Sequence, residues 1–115
     1  MDREEFIKSL ADQFPEVTAQ INDYGRGLLH CEMADFRRVV EQAMDGGQNW
    51  RVEKYLRFID ACREVAGPNL ANAIDISFLE DFALGAYTAT RQQAVRERMP
   101  ERLRQRLLRI SNRWN

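Results

Sequence analysis

A chain of 115 residues with 44% hydrophobic and 30% charged residues can bury a core of its own, which argues for one domain and against intrinsic disorder. The formal net charge is -1, and one histidine with two cysteines is too few for a disulfide scaffold or a Cys/His zinc site. The opening residues lack the basic start and apolar stretch of a secretory signal, and no apolar run approaches the roughly 20 residues of a membrane helix, so a cytoplasmic protein with reduced thiols is expected.

Glycine and proline divide the chain into helix-sized segments. Asp2 with Glu5 forms a capping-box pattern, and Phe6, Ile7, Leu10, Ala11 and Phe14 then recur on one helical face. Pro15 opens a second short helix with Val17, Ile21 and Tyr24 on its apolar side, stopped by Gly25 and Gly27. A third helix is expected over about 31–45, with Met33, Phe36, Val40, Ala43 and Met44 inward and Gly46-Gly47 as its stop. The fourth runs from about Asn49 to Ala66, burying Val52, Tyr55, Leu56, Ile59, Cys62 and Ala66. Arg51, Lys54, Arg57, Asp60, Arg63 and Glu64 form its solvated face, with a weak Glu53–Arg57 pair.

Gly67-Pro68-Asn69 opens a fifth helix that is apolar nearly all round, from Leu70 through Ile76 to Leu84, the mark of a central, buried element. A sixth is expected over about 86–98. Pro100 starts a seventh with Leu103, Leu107, Ile110 and Trp114 as its buried stripe. No segment shows the alternation of a strand. The expected fold is therefore all-α, a compact bundle or array of about six to seven short helices forming a single domain over residues 1–115.

The charge is segregated. Residues 1–85 hold 16 acids against 9 bases, whereas residues 86–115 hold 8 arginines against 2 acids, so a body of -7 precedes a tail of +6. Arg102, Arg106, Arg109 and Arg113 follow spacings of 4, 3 and 4, and the apolar stripe follows one residue later, about 100° around the helix. Such a stripe can bridge to the acidic body, meet an acidic protein partner or track phosphates. No aromatics interleave with it for base stacking, which places nucleic acid last.

Three further places could carry chemistry. His30-Cys31-Glu32 brings potential ligands or catalysts together, but successive helical residues point about 100° apart and cannot converge on one ion unaided. A hydrogen-bonded structural role is the plainer reading of His30. Asp75, Glu80 and Asp81 lie on the most apolar helix, so they must face a polar seam or meet arginines; Glu80 and Asp81 could instead rim a partner surface. No phosphate-binding loop, dinucleotide glycine pattern, zinc-protease helix, nucleophile elbow or calcium loop is present, so no cofactor or metal is expected. An enzyme would have to rest on His30 and Glu80 meeting in one pocket.

Two stretches resemble a known family. Gly27-Leu-Leu-His30-Cys-Glu-Met33-Ala-Asp-Phe36 is similar to a Leu-Leu-His-x-x-Met helix entry, and Ile76-Ser-Phe-Leu-Glu80-Asp-Phe82 to a Ser-Phe-Leu-Glu segment. With the opening helix ending in Phe-Pro-Glu, they resemble a family of small uncharacterised bacterial all-helical proteins. The resemblance implies a helical fold, a bacterial cytoplasmic setting and, by analogy, an immunity-type or accessory role. The function expected is thus a non-enzymatic protein-interaction module with a protein partner or self-association. The alternative is nucleic-acid association through the arginine stripe.

Overall fold

The computed structural model describes residues 1–84 and 90–113, with the backbone alone for Leu84 and Arg113. Helix α1 (Arg3–Gln13) starts on the expected capping box: the Asp2 carboxylate accepts the Glu5 N–H at 2.9 Å, and Glu5 accepts the Asp2 N–H. Phe6 and Leu10 are fully buried, Ile7 is half-buried, and Ala11 lies outside the buried arc in solvent, contrary to expectation.

Helix α2 (Pro15–Thr18) is a single turn, shorter than its apolar spacing predicted. Val17 and Ile21 are buried, but Tyr24 is 96% exposed. The diversion has a local cause. Asn22 donates its N–H to Asp35 at 2.9 Å and accepts the Tyr24 N–H on its side chain, an Asx turn that steers the chain onto α3. Gly25 then lies so close to α3 that an added Cβ would sit 2.6 Å from the Cys31 Cβ. Gly27 has φ +93°, a conformation that favours glycine. Gly25→Ala is expected to cost about 1–3 kcal/mol by forcing this loop off α3. An unchanged melting temperature would refute that close fit.

Helix α3 (Leu29–Asp45) packs against helix α4 (Asn49–Val65). Met33, Phe36, Val40 and Ala43 point inward as expected, with Met44 half-buried. Val52, Tyr55, Leu56, Ile59 and Cys62 do the same on α4. Helix α5 (Pro68–Ile74) passes through a π-helical turn (Asp75–Leu79) into α6 (Glu80–Leu84), one continuous rod. The rod is central, burying Leu70, Ala73, Ile74, Phe78, Leu79, Phe82 and Ala83. Ile76 is the exception at 49% exposure. The wider turn inserts a residue, so the buried positions move from Leu70, Ala73 and Ile74 to Phe78, Leu79, Phe82 and Ala83, while Ile76 lies on the opposite side of the rod from Ile74.

Helix α7 (Thr90–Glu97) and helix α8 (Glu101–Arg113) close the structure, seven helices among the described residues when the rod counts as one. The first part of the expected sixth helix (86–89) and Trp114 lie outside the described residues. Leu103, Leu107 and Ile110 are buried. Arg104 caps the end of α7, donating to the Glu97 and Met99 carbonyls at 3.0 and 3.1 Å. A connected set of rings joins the layers: Phe6 meets Phe58, Phe36 meets Phe58, Tyr55 and Phe78, and Phe78 meets Phe82, with centroids 5.4–6.1 Å apart.

Candidate functional site

The π turn lies between two polar contacts. On one side Asp75 receives both Arg63 and Arg106. Arg106 donates Nε and Nη2 at 2.9 and 2.7 Å, and Arg63 donates the same pair at 3.1 and 3.3 Å. Burial by itself would raise the Asp75 carboxyl, but the two guanidinium groups outweigh it and hold it below the usual carboxylate range. On the other side Ser77 Oγ lies 2.7 Å from His30 Nδ1, joining the rod to the start of α3. No hydrogen bond joins His30 to Glu80 among the described residues.

The expected arginine stripe divides. Arg102 holds Asp60 with two donors at 3.1 and 2.7 Å and reaches Glu64 at 3.2 Å. Arg106 is committed to Asp75. Arg109 is exposed, and the Arg113 side chain lies outside the described residues. Two more arginines of the basic tail turn toward the acidic body: Arg91 meets Glu41 and Asp45, each at 2.8 Å, and Arg98 meets Glu53 at 3.5 Å. Asp81 pairs with Arg37 of α3 at 3.4 Å, and Glu80 is half-buried.

At the start of α3, Glu32 is 1% exposed and takes Arg3 in a bidentate pair, both distances 2.7 Å, plus the Gly27 N–H at 3.1 Å. The beginnings of α1, α3 and α5 meet there around a concavity of about 860 Å³ that includes Arg3, Glu4, Gly27, His30 and Pro68. No three His, Cys, Asp or Glu among the described residues are grouped to hold a metal ion. Cys31 is exposed, whereas burial pushes the Cys62 thiol up to about 11. A thiol reagent should therefore label Cys31 promptly and Cys62 only on unfolding. Equal labelling rates in the folded protein would contradict the packing described.

A second concavity, of about 660 Å³, runs between α1 and α4. Aromatic rings set the spacing of these helices: Phe14 and Phe6 both lie against Phe58, at 5.4 and 5.8 Å. Phe14, Phe58, Ala61, Cys62 and Val65 line the groove, with Lys54 and Arg57 along the α4 rim and Ser9 and Gln13 opposite. The exposed face of α4 continues through Trp50, whose ring carries the Lys54 ammonium at 5.1 Å. Trp50 and Val65 are 58% and 59% exposed. The 4, 3, 4, 4 spacing of Trp50, Lys54, Arg57, Ala61 and Val65 was a visible signal for this face. The cations drew it into the solvated side of the helix, and the apolar residues on either end went uncounted.

Among the described residues these features define an all-α fold in which many charges pair internally and the outer face of α4 is amphipathic and open. The chain belongs to a family described as a domain of unknown function (DUF7674), whose model matches residues 7–115. No curated protein and no solved structure matched the chain. No helix among the described residues is long and apolar enough to cross a membrane.

Proposed function

We propose that this chain is a non-enzymatic protein-interaction module, of the immunity or accessory kind, in a bacterial cytoplasm. One observation carries the reading: Trp50 and Val65 stay more than half exposed on one face of α4, beside a groove with an apolar floor. Single exposed apolar residues are ordinary on any protein surface. An exposed Val65 at an apolar groove, with an exposed Trp50 about four turns away on the same helix face, fits a surface that a partner covers. Affinity purification from the native host, at several salt concentrations, should recover a partner that Trp50→Asp with Val65→Asp releases. If no protein co-purifies above background, the reading fails. Self-association is a variant of it, removed by a strict monomer in sedimentation at high concentration.

The nucleic-acid alternative needs the arginine stripe to be free, and Arg102 and Arg106 are occupied by Asp60 and Asp75. Oligonucleotide affinity is therefore expected to be negligible. A log–log salt slope of about -3 to -4 that vanished on replacing the stripe would restore that reading.

A further inference from the structure

We propose that the groove between α1 and α4 receives an acidic amphipathic helix from a partner protein. This rests on the interaction reading above and assigns its surface and its partner's chemistry.

The charge of the groove is the first argument. Its lining holds two cationic side chains, Lys54 and Arg57, and no carboxylate. The first 85 residues, by contrast, carry a net charge of -7. Arg57 has only a loose contact, 3.7 Å to Glu53, with both side chains well exposed. An exposed pair of that kind is worth little and yields readily to a carboxylate brought by a partner.

The shape is the second. From Lys54 to Val65 the α4 wall runs twelve residues, about 16 Å or three turns, the length of a short docked helix. The walls are helices whose backbone groups are already paired, so no free edge is offered to an incoming strand. A helix satisfies its own backbone and needs only side-chain contacts. Apolar residues at i, i+3 or i+4, and i+7 would cover Phe14, Phe58 and Val65. Acidic residues on its flank would meet Lys54 and Arg57.

The test uses the full chain in its native host, with a photo-crosslinking benzoylphenylalanine in place of Ala61. The same probe in place of Tyr24 or Gln105, both exposed and outside the groove, provides the controls. The expected result is an adduct at Ala61 whose mapped peptide is net negative with apolar residues at helical spacing. Lys54→Glu with Arg57→Glu should reduce that adduct about tenfold or more, as reversing two complementary charges does. Unchanged circular dichroism and melting temperature would show that this variant is folded. Adducts at Tyr24 or Gln105 but not at Ala61 would overturn the groove and leave the interaction reading standing. Adducts at none of the three would overturn both. An Ala61 adduct to a lipid, to a second copy of this chain or to a basic segment would overturn the acidic helix, as would one indifferent to the charge reversal.

Discussion

Arg3→Ala should destabilise the protein by about 3 kcal/mol at neutral pH, more than Glu32→Gln does, although Arg3 is the more exposed partner. The reason is what each change leaves behind. Glu32 is 1% exposed, whereas the Arg3 side chain is 34% exposed. Without Glu32, Arg3 can turn into water. Without Arg3, Glu32 stays buried with one remaining donor, the Gly27 N–H. In the native protein burial raises the Glu32 carboxyl, but Arg3 and Gly27 outweigh it, and the group lies below its ordinary value. Its stabilisation is therefore complete above the unfolded carboxyl value of roughly 4 and is lost as pH falls through the lower folded value. In Arg3→Ala the largest opposing interaction is gone while the Gly27 N–H remains, so the carboxyl shifts upward and acid weakens the variant less than it weakens the native protein. Urea unfolding at pH 7 and near pH 4 should show the gap between the two narrowing. A constant gap, or none at pH 7, would contradict the ion pair.

Asp75→Ala should cost about 3 kcal/mol and lower the melting temperature by about 10 °C. Four hydrogen bonds disappear with the carboxylate, and Arg63 and Arg106, whose side chains are only 21% and 30% exposed, are left facing each other. Arg106→Ala should cost about half as much, because Arg63 still holds Asp75. The double variant Asp75→Ala with Arg106→Ala should be less unstable than the sum of the single ones by at least about 1 kcal/mol. Strict additivity would mean that the pairing contributes nothing. The result also bears on the basic tail, since a measurable coupling makes Arg106 part of the clamp that docks α8.

Much of this architecture is visible in near neighbours along the chain. The capping box at Asp2, the proline at the start of α5 and the stop at Gly46-Gly47 depend on residues within one turn of each other. So do the inward faces of α3, α4 and α8. The readings that failed did so for different reasons. Tyr24 had helical spacing from Val17 and Ile21, but Asp35 captured the Asn22 N–H and turned the chain away. Ile76 lay in an apolar run, but it falls on the side of the rod opposite the buried Ile74, and it faces solvent there because no other element among the described residues covers that side. The α4 face of the groove carries a readable spacing, but its opposite wall does not, because aromatic rings from distant segments meet to set the distance between α1 and α4.

The amino-acid sequence by itself determined an all-helical chain, the approximate ends of its helices, and the opposition of an acidic body and a basic tail. Those properties follow from composition and from i, i+3 and i, i+4 relations, which any local segment carries with it. Only the tertiary structure decided where the charges go. Asp60 meets Arg102 across 42 residues and Asp75 meets Arg106 across 31, separations that no helical period encodes. Those pairings take up much of the basic tail's charge, while a short cationic rim over an apolar floor stays open on α4 among the described residues.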